Sequence, residues 1–401
     1  MSTGGLSRVR LGRVRDVMAG HVERGDVPGV VTLVSRHGET HVDTIGTMAI
    51  DGGDSMQRDT IFRITSMTKP VTAAAAMVLV EECKLQLDEP VDRLLPELAD
   101  RRVLKRLDGP LDDTEPARRP ITVRDVLSFR MGFGLMFGAP DAYPILRALD
   151  EQQIMIGPPK PPTPHPPDEW IRRLGTLPLM HQSGERWMYN TGAHVLSVLI
   201  ARASGQPFEA FLRERIFEPL GMKDTAFSVP AEKLDRFPPC YEDDPQDAGL
   251  RVHDGVQDSQ WARAPVFPDG AAGLVSTVDD FFAFGQMMLS KGRHGRERVL
   301  SRPSVEVMTT DQITPEQRAA SDLFLLGDSY GWGFGVAVGR RRDDVSASPG
   351  RFGWDGGYGT SWYSDPNEDL VGILMTQCLG APQYSSLRLD FWTSAYQAID
   401  D

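Results

Sequence analysis

Ser66 and Lys69 stand three residues apart in the segment FRITSMTKPVTAAAAMVLVEECKL. On a helix, positions i and i+3 share a face, so this spacing brings a hydroxyl and an amine within hydrogen-bond reach. A serine hydroxyl is a weak nucleophile until a base takes its proton. Lysine, with an ordinary pKa of about 10.4, becomes such a base when burial destabilises its charged form. The alanine run after Lys69 predicts a helix buried on most sides, which would supply that burial. The same spacing also fits a Ser66 that only caps the helix.

Two further segments carry groups of the right kind. In GERWMYNTGAHVLSVLI, Tyr189 precedes a turn and a helix. A tyrosine there either shuttles a proton or simply fills the helix entry. In FGWDGGYGTSWYSDP, Gly356 and Gly357 fall where a strand is expected. Such glycines mark the close approach of another backbone or a ligand, and a bare strand edge can offer an N–H to an oxyanion. A plain turn between strands fits equally well.

One competing nucleophile is set aside. Gly327-Asp-Ser329-Tyr-Gly331 matches the G-x-S-x-G elbow, which requires a strand before it and a helix after it. Here GWGFGVAVG follows and reads as strand, and the last histidine of the chain, His294, comes before Ser329.

Composition removes other chemistries. The chain has 401 residues, 40% apolar and 25% charged, an ordinary globular balance. Fifty-six acidic residues against 43 Lys and Arg give a net charge of −13, which argues against a duplex nucleic-acid partner. The eight histidines are scattered, with no HExxH and no carboxylate cluster, so no metal is expected. No GxGxxG or GxxxxGK[ST] motif is present, and no cofactor is expected either. Cys83, Cys240 and Cys378 are odd in number and far apart, and read as reduced thiols of an intracellular protein. No apolar stretch is long enough to span a membrane, and the N-terminus lacks a signal-peptide h-region. A cytoplasmic location is therefore expected.

The elements that must position these groups follow from the hydrophobic pattern. Residues 7–24 fit an amphipathic helix, and VPGVVTLVSRHG with ETHVDTIG fits a hairpin. From about Leu85 to Ala264 helices and long loops dominate, including ITVRDVLSFR, opened by a Thr122–Asp125 capping box, and HVLSVLIARASG, ended by Gly205. The proline-dense stretch 157–167 reads as a polyproline-like loop, either a linker or a lid or rim over a site. After position 265, GAAGLVST, GWGFGVAVG, TSWYSDP and LVGILMTQ read as strands and 384–399 as a closing helix. The expectation is an α/β (α+β) body: one sheet layer from segments 1–84 and 265–401, flanked by helices, with a mostly helical lobe, 85–264, inserted.

Taken together, these segments resemble the serine β-lactamase and penicillin-binding-protein superfamily, closest to class C β-lactamases and the family VIII carboxylesterases. Ser66-Met-Thr-Lys69 resembles its S-x-x-K, Tyr189-Asn190-Thr191 its Y-x-N, and Trp354-Asp355-Gly356-Gly357 its K-T-G strand. RASGQPFEAFLRERIFEPLGMKDTAF and GLVSTVDDFFAFGQMML extend the likeness, which runs from about Arg13 to Tyr396. The resemblance implies an antiparallel sheet flanked by helices. It makes Ser66 the acylated nucleophile, Lys69 its base, Tyr189 a second acid/base, and the backbone N–H groups of Ser66 and Gly357 the oxyanion hole. Trp354, Asp355, Gly356 and Thr191 would line the substrate. Two departures bear on specificity. Thr191 replaces an asparagine that contacts acyl-side amides, with Asn190 able to substitute only if the turn shifts by one. Trp354-Asp355 replaces a Lys-Thr pair that holds carboxylates, giving an acidic, aromatic rim that disfavours anionic β-lactams. The implied function is a cytoplasmic serine carboxylesterase acting on small, uncharged esters of short to medium acyl chain. A β-lactamase, a D-alanyl-D-alanine peptidase or an acyltransferase are the alternatives within the fold, and a catalytically silent binding protein the alternative outside it.

Overall fold

The computed structural model describes residues 4–401 except 137, 139–141, 155–156, 158, 247–248, 322–326 and 381–385. Its centre is a seven-stranded antiparallel sheet drawn from both ends of the chain. The strands are β1 (Gly29–Arg36), β2 (Glu39–Gly46), β3 (Tyr330–Trp332), β4 (Ala337–Gly339), β5 (Phe352–Gly356), β6 (Thr360–Asp365) and β7 (Leu370–Met375). Their spatial order is β3-β4-β5-β6-β7-β1-β2. β1 and β7 pair from Val31 opposite Met375 to Arg36 opposite Leu370, closing N-terminal and C-terminal segments into one layer. All eight residues of β1 and all six of β7 are buried, so both faces of the central strands are covered.

Two helix layers do the covering. On one face lie α1 (Arg8–Glu23) and α5 (Ser386–Gln397), packed through Val14, Met18, Phe391 and Trp392. On the other lie α2 (Thr68–Glu81), α3 (Thr191–Ser204) and α4 (Val278–Leu289), within a larger core. The alanine run Ala73–Ala76 is fully buried, as its composition predicts. Small side chains there let neighbouring elements approach α2 closely. Residues between 85 and 264 contribute mostly helices, with two short hairpins, Arg102–Leu104 with Thr114–Pro116 and Cys240–Asp243 with Leu250–Asp254. Among the described residues no helix is long and apolar enough to cross a membrane.

Local signals place most boundaries. His37 and Gly38 turn the β1–β2 hairpin, both at positive φ. Thr122 and Asp125 form the reciprocal capping box that opens Val123–Leu127, and Gly205 ends α3 in the left-handed region. GWGFGVAVG departs from the single strand expected. It is a tight hairpin, β3 and β4, closed by Gly333 N–H to the Val336 carbonyl. Gly335 lies in that turn at φ +72°, where a Cβ would meet the Lys69 carbonyl at 2.7 Å. Glycine is needed there twice over, for conformation and for clearance. GAAGLVST also departs, with only Val275–Ser276 forming a strand, paired with Phe62–Arg63.

The end of β5 presses on the turn that carries Ser66. A Cβ on Gly356 would meet the Ile64 carbonyl at 2.4 Å and Thr65 Oγ1 at 2.8 Å. Thr360 Oγ1, opposite Gly356 on β6, donates to that same Ile64 carbonyl at 3.2 Å. At Gly357, φ is not positive and a Cβ would meet nothing within 4 Å. Gly356→Ala is therefore expected to lower unfolding stability by about 1–3 kcal/mol. Gly357→Ala should change it by less than about 0.5 kcal/mol. Urea unfolding of the two variants checks this; equal losses would contradict the close approach at Gly356.

Candidate active site

Ser66 sits in a single 3₁₀ turn, Thr65–Met67, that leads into α2. Thr65, β-branched, is held at φ +41°, an unfavourable conformation of the kind that persists where surrounding structure enforces it. The turn lifts Ser66 to partial exposure while Thr65 and Met67 are buried. Lys69, one turn on, is almost wholly buried, and its Nζ donates to Ser66 Oγ at 2.9 Å and to the Ala271 carbonyl at 2.8 Å.

The Ala271 carbonyl is a part of the site that sequence reasoning missed. The segment 269–274 is fastened along one face of α2. Thr68 Oγ1 accepts from Leu274 N–H at 3.1 Å, Lys69 holds Ala271, and Thr72 Oγ1 donates to the Gly270 carbonyl at 2.8 Å. Ser197 Oγ on α3 accepts from Gly270 N–H at 2.9 Å, and Asp269 Oδ1 accepts from Ala271 N–H at 2.7 Å. A backbone acceptor leaves no residue-type signature. Only the recurrence of Thr, Lys and Thr at 68, 69 and 72 hints at a polar stripe on an otherwise apolar helix.

Burial pushes the Lys69 ammonium down to about 7, with the Asp269 charge opposing the shift. Burial moves Tyr189 the other way, well above the ordinary tyrosine range, against hydrogen bonds from Ser66 and Trp354 that favour the phenolate. Tyr189 reaches the serine from the opposite side, its ring 4.5 Å from Lys69 Nζ. The residue that follows it, Asn190, has φ +84° and ψ −57°, and Thr191 N–H bonds back to the Tyr189 carbonyl at 3.2 Å. That is a strained γ-turn, and it lets α3 begin directly beneath the tyrosine. Phe129, Trp187, Trp332 and Trp354 pack around the Tyr189 ring, with centroids 5.6–6.1 Å away.

Trp354 lies in this aromatic wall, and its indole Nε1 donates to Tyr189 Oη at 2.6 Å. Asp355 does not join it. Successive strand residues face opposite ways, and the Asp355 carboxylate points toward α5. It meets Arg388 Nε at 2.8 Å and accepts from Ser361 Oγ at 2.5 Å. The acidic rim expected from Trp354-Asp355 is thus an aromatic rim alone, with the anion neutralised behind the sheet. Thr191 is also corrected as a substrate contact, being wholly buried at the start of α3. Asn190 is buried as well, and its Nδ2 donates to the Gly157 carbonyl at 3.2 Å. This ties the start of the proline-rich stretch to the residue beside Tyr189. Further on, Gln260 Nε2 donates to the Pro159 carbonyl at 2.7 Å and Lys160 pairs with Asp254 at 3.3 Å. The described part of the stretch is thus held by contacts at 157, 159 and 160.

Gly356 and Gly357 lie at and just past the end of β5, next to the Ser66 turn. Ser329 makes its side-chain contact elsewhere. It precedes β3, has no helix after it, and its hydroxyl donates to the exposed Asp343 carboxylate. Among the described residues no three His, Cys, Asp or Glu side chains stand close enough to hold a metal ion.

Comparisons with known proteins bear on the family and the fold. The Beta-lactamase family model matches residues 14–397. Protein Rv1367c of Mycobacterium tuberculosis is 40% identical over 362 residues, covering 88% of this chain and 87% of that protein. Esterase EstB of Burkholderia gladioli is 30% identical, covering 87% of this chain and 85% of the esterase. Among solved structures, "EstCE1, a hydrolase with promiscuous acyltransferase activity" superposes with a TM-score of 0.80 at 23% identity, over 96% of this chain and 98% of that one. With the antiparallel sheet formed from both termini and the Ser-Lys-Tyr cluster at its edge, the chain belongs to the Beta-lactamase family, the serine β-lactamase and penicillin-binding-protein superfamily.

Proposed function

We propose that the protein is a serine carboxylesterase that cleaves uncharged esters through an acyl-enzyme on Ser66, with Lys69 as base and Tyr189 as acid. The observation that carries this reading is the chain of contacts from Trp354 through Tyr189 and Ser66 to Lys69. An indole N–H can only donate. Tyr189 Oη accepts it, so the phenolic proton points away from Trp354, toward the space where a leaving oxygen would stand. Lys69, whose ammonium burial pushes down to about 7, can take the serine proton. Tyr189, held protonated, is the donor.

The steps balance on these groups. Ser66 Oγ attacks the ester carbonyl as its proton passes to Lys69 Nζ, and the backbone N–H groups of Ser66 and Gly357 stabilise the oxyanion. The C–O bond to the alcohol breaks as that oxygen takes the Tyr189 proton, which Lys69 replaces. Water then attacks the acyl carbonyl and gives a proton to the Lys69–Tyr189 pair; the acyl–Oγ bond breaks, the acid leaves, and Ser66 Oγ takes a proton back from the pair. The two groups titrate together.

Specificity follows from what lines the mouth. Trp354 occupies the place of a carboxylate-holding cation and Asp355 is neutralised by Arg388, which supports neutral esters over anionic β-lactams. A cavity of about 570 Å³, lined by Phe227, Trp261, Phe267 and prolines 159 and 161, ends at Asp269 and Gly273, beside the carbonyl that anchors Lys69. Ser66 is not part of its lining, and the charged side chains Lys160, Asp254, Asp258 and Arg263 share its walls with the apolar ones. The names borne by EstB and by EstCE1 support hydrolysis, with transfer of the acyl group to an added alcohol as a second outcome of the same intermediate. The free thiols Cys83, Cys240 and Cys378 support a cytoplasmic setting.

Three outcomes are expected. With p-nitrophenyl butyrate, Ser66→Ala should lower kcat by a factor on the order of 10⁴ or more, while Ser329→Ala stays within about twofold of the wild type. The pH dependence of kcat/KM should fall tenfold per unit on the acid side with its midpoint near 7, since protonated Lys69 cannot accept the serine proton. No loss should appear on the alkaline side below the ordinary tyrosine value of about 10, because burial raises Tyr189. Trp354→Phe keeps an aromatic ring, though a smaller one, but removes the donor, and should lower kcat about tenfold with little change in KM.

A further inference from the structure

Behind Lys69 lies a second buried ionisable pair that the mechanism above does not use. His194, on α3, is fully buried, and its Nε2 lies 3.3 Å from Asp269 Oδ1. That contact is poorly aligned. Beyond it, neither ring nitrogen of His194 nor Asp269 Oδ2 has a hydrogen-bond partner among the described residues. Buried polar atoms are nearly always paired, so three exceptions in one contact need a reason. Trp170 and Phe267 close the remaining sides of the imidazole, with ring centroids at 5.6 and 6.3 Å.

The pair connects to the reaction centre by two routes. Asp269 Oδ1 accepts from Ala271 N–H at 2.7 Å, fixing the peptide whose carbonyl receives Lys69 Nζ at 2.8 Å. The Asp269 charge also acts directly on Lys69, favouring its ammonium form against the effect of burial. On Asp269 itself burial works against the charged form, but His194, Ala271 N–H and Lys69 together hold its carboxyl below the ordinary range. The anion is therefore shared between two buried basic groups, one of them the base for Ser66.

We propose that His194 and Asp269 are positioning residues for Lys69: Asp269 Oδ1 holds the Ala271 peptide whose carbonyl receives Lys69 Nζ, and His194 lies against that carboxylate at 3.3 Å. This rests on Lys69 acting as the base for Ser66. The two residues then have opposite effects. Removing the Asp269 charge makes Lys69 easier to deprotonate. Removing His194 takes away one of the two basic groups that stabilise the carboxylate and makes Lys69 harder to deprotonate. A role confined to packing would move neither.

The test is the pH dependence of Ser66 labelling by a fluorophosphonate, which reads the serine's activation whatever ester the enzyme prefers. In Asp269→Asn the acid-side midpoint should move down by about one pH unit, and in His194→Gln it should move up. The double variant should behave like Asp269→Asn, because His194 acts only through that carboxylate. Should Asp269→Asn fail to fold, the upward shift in His194→Gln carries the test alone. Midpoints unchanged from the wild type, whatever the melting temperatures, would overturn the inference. A wild type that is not labelled at Ser66 would overturn it at its foundation, by removing the serine reading itself.

Discussion

The site depends on the removal of one ammonium group from water. Lys69 is nearly inaccessible, so its charged form loses solvation that two acceptors, Ser66 Oγ and the Ala271 carbonyl, only partly return. A solvated lysine would be protonated at neutral pH and useless as a base. Much of the surrounding architecture serves this burial. The alanine face of α2 admits close neighbours, Gly335 lets the β3–β4 hairpin sit against the Lys69 backbone, and the 269–274 segment closes the far side.

The second constraint is direction. Lysine and serine can each donate or accept, so a Ser-Lys pair does not by itself say which way a proton moves. A donor-only indole at the other end of the chain orients the Tyr189 hydroxyl. Trp354 occupies a strand position whose neighbour Asp355 faces away, and the register of β5 with β6 holds both in place, Trp354 opposite Trp362 and Asp355 opposite Ser361. The sheet thus sends an aromatic donor to one face and a neutralised ion pair to the other. In the superfamily pattern, a cation at this strand position would serve an anionic substrate; the indole here serves the tyrosine.

What could be read from the sequence was set by the range of the interactions involved. Ser66 and Lys69 are joined by helical periodicity, the Thr122–Asp125 cap and the His37-Gly38 turn are local, and the Val/Leu/Ile runs of β1 and β7 announce buried strands. All were legible in the order of residues. Asp355 was misjudged although strand alternation alone places it opposite Trp354. The GWGFGVAVG hairpin was hidden because a glycine-rich run looks extended whether or not it turns. The Ala271 carbonyl and the His194–Asp269 contact had no local signature. They arise where α2, α3 and the 269–274 segment converge, and a backbone acceptor or a histidine 75 residues from its carboxylate becomes visible only in three dimensions.

The most direct measurement is the mass of the protein quenched during turnover of p-nitrophenyl butyrate, followed by peptide mapping. The account predicts a butyryl adduct on the peptide containing Ser66, formed in the wild type and absent from Ser66→Ala. An adduct on the peptide containing Ser329, or turnover with no adduct at all under conditions where deacylation is slowed, would contradict it.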